Sequence, residues 1–274
     1  METKRIDAKW RLPDAMWQRI QPLLPKYPIS KWGGRRRADL RAVVDGIFYR
    51  LRTGCQWKAL PPEFSSGSTV HHYFQEWVRQ GVFQGIWRVA LEEYDELSGI
   101  AWQWQAMDGA MTKAPLGGKG TGKNPTDRAK SGTKRSVLTD RRGVPLGIIV
   151  TGANRPDMKL VEDTINSMPV PRPEPTATEP QNMCMDKGYD YPEIRTLVEE
   201  YGYTAHIPMK GEDVTKRKRT PGYRARRWVV ERTHSWMNRF RSLLIRWEKN
   251  LENYEGLLHL ACAWITLSMA GVFG

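Results

Sequence analysis

Hydrophobic side chains recur every three or four residues through the first hundred positions, which is the spacing of helices buried along one face. This pattern predicts four short helices joined by tight turns, over residues 13–24, 38–52, 69–79 and 83–97. Gly54 and Gly81 follow the second and third of these segments and are expected to end them. We therefore expect a small α-helical domain of helix-turn-helix type over residues 1–100.

From Ala101 onward the period of the pattern changes to two, which is typical of strands. Three successive strand-like segments predict an antiparallel meander: residues 102–108, 134–140 and 144–151. Helices and strands then alternate, with a helix over 157–168, a strand ending at Asp186, a helix over 191–201 and a strand over 203–208. This order predicts an α/β domain with a mixed sheet over residues 101–274.

The last apolar segment, residues 256–273, contains His259, Thr266 and Ser268 and is barely long enough to cross a bilayer. We expect it to be a buried helix that closes the fold, so no membrane partner is expected. The polar first seven residues offer no signal peptide.

The chain carries an excess of positive charge, because 43 Lys and Arg oppose 30 Asp and Glu. A formal charge of +13 favours a polyanionic partner, although charge alone suits DNA, RNA and an anionic membrane alike.

Cys55, Cys184 and Cys262 are far apart and odd in number, so they predict neither a disulfide framework nor a metal site. A reducing cytoplasm is the location that they favour.

Three acidic residues lie at positions that suit metal binding. Asp108 and Asp186 each end a predicted strand, and Glu231 lies within a strongly basic amphipathic helix. Carboxylates at the ends of neighbouring strands lie at the edge of a sheet where α/β folds bind ligands, and with a third acid they can hold Mg²⁺. Two such ions would clamp the attacking and leaving oxygens of a phosphoryl transfer. The alternative is that Glu231 forms an ordinary helical ion pair with Arg227, four residues before it.

The sequence around these acids resembles a known family. Met107-Asp108-Gly109, Asp186-Lys-Gly-Tyr189 and Arg227-Trp-Val-Val-Glu231-Arg-Thr233, with Trp236 beyond, are similar to the three acidic motifs of the DDE transposases of bacterial insertion sequences. The resemblance is to the insertion-sequence-five group of the IS-four-like superfamily, and it extends from about Trp17 to the C-terminus. Within that superfamily a Tyr, an Arg, a Glu and a Lys are spaced along the last helix. Arg224 replaces the Tyr and Asn238 replaces the Lys, so the roles of those two positions are not carried over.

The resemblance implies an RNase H-like core in which Asp108, Asp186 and Glu231 are catalytic and bind two Mg²⁺ ions, with Mn²⁺ able to substitute. It also implies a DNA-binding role for the N-terminal domain. The DNA would be double-stranded, comprising the terminal inverted repeats of the element and the target. A homodimer is expected in the DNA-bound state.

Candidate DNA contacts come from four places in the sequence. They are an arginine arm, the outward side of a candidate recognition helix over 69–79, the basic residues of two loops, and the surroundings of Glu231. In that order the candidates are Arg35, Arg36 and Arg37; His71, His72, Gln75 and Arg79; Lys119, Lys123 and Lys187; and Arg224, Arg227, Arg232, Trp228 and Trp236. The two tryptophans could stack on a base, whereas the arginine arm could instead be a solvated charge run. A metal site at His71 and His72 is disfavoured because adjacent side chains diverge on a helix.

Three other functions compete with DNA transposition as explanations of the sequence. Residues 117–124 nearly form a phosphate-binding loop, but Pro115 precedes and Pro125 follows, so a flexible basic loop near the acids is preferred to an NTPase site. A sequence-specific DNA-binding regulator would leave the three acids unexplained. A two-metal nuclease on the same core stays open, because it differs only in whether water or a DNA 3′-hydroxyl attacks.

Overall fold

A computed structural model of the chain describes residues 6–28, 37–209 and 228–273. Its N-terminal part contains the four expected helices: α1 (Asp14–Ile20), α2 (Leu40–Thr53), α3 (Gly67–Arg79) and α4 (Val82–Ser98). Gly54 ends α2 with a φ of 70°, and Gly81 has the same φ in the short turn between α3 and α4. Both positions lie in the left-handed region, where glycine is favoured because it has no Cβ.

The sheet has the order of an RNase H-like core, which confirms the predicted fold class. Its strands are β1 (Trp104–Lys113), β2 (Gly122–Lys123), β3 (Ser131–Thr139), β4 (Pro145–Gly152), β5 (Gln181–Cys184) and β6 (Tyr203–His206). β3 pairs antiparallel with β1 and β4, whereas β5 pairs parallel with β1 and β6 pairs parallel with β5. The five longer strands therefore lie side by side in the order β4-β3-β1-β5-β6.

Helices cover both faces of this sheet. They are α5 (Val161–Asn166), α6 (Pro192–Glu200), α7 (Trp228–Asn238), α8 (Arg241–Leu244) and α9 (Leu251–Met269), and a 3-10 turn, Asp157–Leu160, precedes α5. On one face the Thr164 hydroxyl of α5 donates to the Ser136 hydroxyl oxygen of β3 at 2.8 Å. On the other face Arg135 of β3 donates to Asn238 of α7 at 2.8 Å. Adjacent residues of β3 therefore face different helical layers.

The closing helix α9 joins the N-terminal helices to the sheet. The rings of Phe48 and Trp264 lie 4.8 Å apart, and those of Trp87 and His259 are stacked at 5.4 Å. Side chains from α2, α4, β3 and α9 belong to one hydrophobic core. Among the described residues, no helix is long and apolar enough to cross a membrane. The division into domains at residue 100 stays a prediction.

One helix differs from the predicted pattern. The helical spacing of five residues predicts one apolar stripe along a single helix: Val230, Thr233, Met237, Phe240 and Leu244. In the structure α7 ends at Asn238 and the backbone is extended at Phe240. This break shifts the inward positions by one residue, because Leu243 is fully buried while Leu244 is 48% exposed.

A buried carboxylate connects the turn between β3 and β4 to the end of α4. Asp140 Oδ1 accepts hydrogen bonds from the backbone N–H groups of Arg142 (2.8 Å) and Val144 (2.9 Å). Its Oδ2 accepts from the Tyr94 hydroxyl (3.0 Å) and the backbone N–H of Ala101 (3.3 Å). Burial raises the pKa of Asp140, and these four donors oppose that effect. The carboxylate therefore satisfies four groups that would otherwise lose their partners.

We expect Asp140→Ala to lower the free energy of unfolding by about 2–4 kcal/mol, because it leaves several buried donors unpaired. Urea denaturation followed by circular dichroism measures this loss. Asp163→Ala removes an exposed carboxylate from α5 and is the matched control, with an expected change within about 0.5 kcal/mol. Equal unfolding midpoints for the two variants would contradict the anchoring role of Asp140.

Candidate active site

The parallel pairing of β1 and β5 aligns two of the predicted acids. The last pair in the register is Ala106 with Cys184, and Asp108 and Asp186 each lie two residues further on. The backbone at Asp186 is still extended, with φ −81° and ψ 174°. Because side chains alternate along a strand and neighbouring strands are about 4.8 Å apart, both aspartates belong to the same face at adjacent positions.

Asp108 does not end its strand, contrary to the sequence-based expectation. β1 continues to Lys113, and Asp108 pairs with Val137 of β3. The edge expected there arises because β5 stops at Cys184 while β1 continues with β3 as its only long partner in the described chain. The acids therefore lie where the sheet forks.

Backbone donors orient both carboxylates. Asp108 Oδ1 accepts from the N–H of Gly109 at 2.8 Å, and Asp186 Oδ1 accepts from the N–H of Gly188 at 2.7 Å. Both aspartates are half-buried, so they lie at the boundary between the core and solvent. In each motif the backbone N–H of the glycine thus donates a hydrogen bond to the aspartate of the same motif.

Glu231 lies in the first turn of α7 and is exposed. His234 and Asn238, three and seven residues later, share its side of the helix. His234 is buried beside the backbone of Asp108, and Asn238 accepts the hydrogen bond from Arg135 of β3. These contacts put the Glu231 side of α7 over the sheet face that carries Asp108.

The ring of His234 is neutral at ordinary pH. Burial, followed by the positive charge of Arg135, lowers its pKa to about 3. It is therefore a packing group between α7 and β1 rather than a second positive charge in this layer.

The three acids do not form a ready-made metal cage in this structure. Within residues 6–28, 37–209 and 228–273, no group of three or more His, Cys, Asp or Glu side chains is arranged to hold a metal ion. The structure brings Asp108 and Asp186 to neighbouring positions and Glu231 to the helix above them. Their joint action as ligands stays a prediction.

Sequence reasoning missed three residues that adjoin this site. Asp157 accepts a hydrogen bond from the ammonium of Lys134 at 2.8 Å, beneath β1 on the face opposite Asp108. Tyr189 is buried, and burial followed by the charges of Asp157, Asp108 and Asp186 raises the pKa of its hydroxyl. Tyr189 was visible as the last residue of the second motif, but Lys134 and Asp157 carry no local signal because they are 23 residues apart.

Several predicted DNA contacts fall outside the described residues. These are Arg35, Arg36, Arg224 and Arg227, so the alternative ion pair of Glu231 with Arg227 also lies outside them. Arg37 is exposed, and its guanidinium lies 4.6 Å from the centre of the Tyr27 ring.

The candidate recognition helix α3 presents most of its predicted residues outward. His72 and Arg79 are exposed and Gln75 is half-buried. The outward orientation expected for His71 is wrong, because its ring stacks on Trp57 at 4.7 Å and its Nε2 is buried. A flat ring at this position covers the indole and so belongs to the packing of the helical layer.

The glycine-rich segment is anchored rather than flexible. Arg246 donates to the carbonyls of Lys119 (2.6 Å) and Gly120 (3.1 Å). The segment leads into β2 and not into a helix, so the phosphate-loop alternative is wrong. Lys119 is exposed and forms an ion pair with Glu252 at 2.6 Å. Lys123 and Lys187 are exposed as well.

Arg232 lies between two tryptophans. Its guanidinium is 4.7 Å from the ring centres of both Trp228 and Trp236, and it donates to the carbonyl of Arg142. It was expected to hold phosphates, but its charge is directed at the indoles and at the β3–β4 turn. Trp228 is 52% exposed, whereas Trp236 is partly buried against the core. Of the two rings, Trp228 offers the larger open surface for stacking.

Comparison with protein families gives two matches. Residues 12–87 match the family described as "Putative transposase of IS4/5 family", and residues 104–266 match the family described as "Transposase DDE domain". The second match covers more than half of the 274 residues and includes Asp108, Asp186 and Glu231.

Individual relatives agree with these matches. The "Putative transposase for insertion sequence element IS402" of Burkholderia cepacia is 37% identical over 158 residues, which are 55% of this chain and 71% of the relative. The "Insertion element IS402 uncharacterized 16.2 kDa protein" of the same organism is 31% identical over 142 residues, covering 49% of this chain and 97% of the relative. The crystal structure of the Mos1 mariner paired end complex with Mn aligns with 93% of this chain and 86% of that chain, at 11% identity and a TM-score of 0.27.

The close approach of Asp157 to β1 explains why glycine follows Asp108. A Cβ at position 109 would lie 1.9 Å from Asp157 Oδ1. We expect Gly109→Ala to displace that carboxylate and to lower the free energy of unfolding by about 1–3 kcal/mol. Thermal and urea unfolding measure this change.

Gly85→Ala is the matched control, because a Cβ on that residue of α4 meets nothing within 4 Å. In a helix this substitution is expected to be neutral or stabilising by about 1 kcal/mol. A Gly109→Ala variant as stable as the control would contradict the close packing of Asp157 against β1.

Proposed function

Because the chain belongs to the family of transposases with a DDE domain, we propose that Asp108, Asp186 and Glu231 form its catalytic triad and bind two Mg²⁺ ions. The chain is a DNA transposase, an enzyme that cleaves and joins DNA, and its family depends on divalent metal ions. The observation that carries the proposal is the parallel register of β1 and β5, which aligns Asp108 with Asp186.

The donor set suits the proposed metal. Carboxylate oxygens are the protein ligands that Mg²⁺ and Mn²⁺ prefer, and both aspartates stand at a sheet edge with one oxygen already oriented by a backbone N–H. When bound, the ions would supply Lewis acidity that activates an attacking water or 3′-hydroxyl and stabilises the leaving 3′-oxygen. Glu231 would complete the ligand set from α7.

The residues around the acids have distinct tasks in this proposal. The N–H groups of Gly109 and Gly188 fix the two aspartates, and the hydroxyl of Tyr189 is buried near these acids, whose charges help to raise its pKa. Lys187, exposed beside Asp186, is suited to hold a phosphate of the DNA backbone. The sequence suggests the same task for Arg224 and Arg227. A covalent intermediate on the protein is not required.

The DNA partners follow from the same proposal. The protein binds DNA, and the positive charge of +13 favours contacts to its phosphates. We infer that the double-stranded ends of its own element and a target duplex are its substrates. A homodimer on paired ends and a location in the bacterial cytoplasm belong to the same inference.

We expect Asp108→Asn, Asp186→Asn and Glu231→Gln each to abolish cleavage of element-end DNA while the protein still binds that DNA. Each change removes a negative charge and keeps the size of the side chain, so metal binding is lost with little effect on packing. Cleavage is measured on labelled duplexes in Mg²⁺ and in Mn²⁺, and binding is measured by gel shift without metal.

Glu96→Gln is the matched control, because this residue is an exposed acid on α4 away from the sheet. Undiminished cleavage by any one of the three variants would remove that acid from the triad. Loss of DNA binding together with cleavage would show instead that the acids maintain the fold.

A further inference from the structure

Arg135 is a positive charge in the core, and it has no negative partner among the residues that the structure describes. It is 1% exposed, and its Nη2 donates to Asn238 Oδ1 at 2.8 Å. Its Nε and Nη1 are buried, and within residues 6–28, 37–209 and 228–273 they have no hydrogen-bond partner. In the described parts of the chain no carboxylate lies within ion-pair distance of Arg135. A buried charge is costly unless something compensates it, so this arrangement calls for an explanation.

The immediate neighbours of Arg135 are neutral. Asn238 is an amide, and His234 is uncharged at ordinary pH because its pKa is lowered. Burial raises the pKa of the Cys262 thiol, although the charge of Arg135 acts in the opposite direction. Compensation must therefore come from charges further away.

The strand register points to Asp108 as the source. Val137 lies opposite Asp108, and Arg135 lies opposite Ala110, so Arg135 is the diagonal neighbour of Asp108 on the same face of the sheet. Such diagonal neighbours are about 7–8 Å apart, a distance at which two charges still interact in a partly buried site. Asn238, which holds the guanidinium, is two helical turns beyond Glu231 on the same side of α7.

The adjacent residue of β3 shows the contrast. Lys134 faces the opposite layer and is neutralised directly by Asp157 at 2.8 Å. The positive charges of these two adjacent residues are therefore compensated in different ways. Lys134 has its own carboxylate, whereas Arg135 faces the side of the sheet on which the proposed catalytic acids lie.

We propose that Arg135 is a positioning residue of the active site, whose buried charge balances the proposed acidic triad and whose bond to Asn238 holds the guanidinium in place on the side of the sheet that carries Asp108. This inference rests on the proposed function. Before metal binds, the acids repel one another, and a fixed cation behind them reduces that repulsion. The amide at position 238 accepts the Arg135 donor, whereas a lysine there would bring a second cation beside the first.

The test measures binding of Mn²⁺ to the full-length protein without DNA, from the electron paramagnetic resonance signal of free Mn²⁺. Arg135→Met removes the charge and keeps the length of the side chain. Asn238→Asp keeps the guanidinium but neutralises it locally. We expect both to bind Mn²⁺ about ten-fold more tightly than the wild type, because the site becomes more negative by one charge.

Two controls separate charge from packing. Arg135→Lys keeps the charge and loses the planar fork, so its Mn²⁺ affinity is expected to stay within about two-fold of the wild type. Arg246→Met removes another buried guanidinium, one bonded to backbone carbonyls near Thr133, and its Mn²⁺ affinity is expected to be unchanged. Thermal unfolding checks that each variant is folded. If Arg135→Met does not fold, Asn238→Asp still tests the inference.

Unchanged or weaker Mn²⁺ binding by folded Arg135→Met and Asn238→Asp would overturn the inference. Asp108→Asn separates that failure from a failure of the proposed function. If the wild type binds Mn²⁺ no better than Asp108→Asn, the proposed metal site itself is wrong. If Asp108→Asn weakens binding while the two charge variants do not strengthen it, the inference about Arg135 alone is wrong.

Discussion

The short parallel pairing of β1 with β5 is the constraint on which the candidate site depends. A slip of one residue would turn Asp186 to the opposite face from Asp108. A buried polar network fixes the register at the other end of these strands: Gln105 donates to Gln181 at 3.1 Å and accepts from the Tyr203 hydroxyl at 2.9 Å. Since a slipped register would leave these buried groups unpaired, the network opposes slippage. Amides at the beginning of the strands thus determine where the acids stand at their ends.

Charge is distributed differently on the two sides of β1. On the α5 side, Asp157 and Lys134 form a partly buried ion pair that approaches the backbone at Gly109. On the α7 side, Arg135 is held by a neutral amide instead. In the first arrangement the two charges neutralise each other, which suits a structural role. In the second, the charge of Arg135 is not neutralised by its hydrogen-bond partner, so it can act on charged groups further away. This asymmetry agrees with a sheet that has a structural side and a proposed catalytic side.

The sequence predicts the elements better than it predicts their contacts. The four N-terminal helices and the strands follow from hydrophobic periodicity, whereas the order of an RNase H-like core was predicted partly from that pattern and partly from the family resemblance. The predicted end of β1 at Asp108 was wrong. Apolar alternation fades after Asp108, but backbone pairing with β3 continues to Lys113. The Arg135–Asn238 bond was not predictable because the two residues are 103 positions apart and none of the three motifs includes both. The positions of the acids in the sequence and the family resemblance identified the acids, whereas only the three-dimensional fold shows the groups that support them.

The position of Glu231 depends on both parts of the chain. The Thr233 hydroxyl donates to the carbonyl of Gly143 at 2.7 Å, and Arg232 donates to that of Arg142, so α7 is attached to the β3–β4 turn. Asp140 attaches the same turn to the end of α4. A displacement of α4 would therefore be transmitted through this turn to the helix that carries Glu231. The N-terminal helices contribute to the geometry of the candidate site even though none of the three acids lies within them.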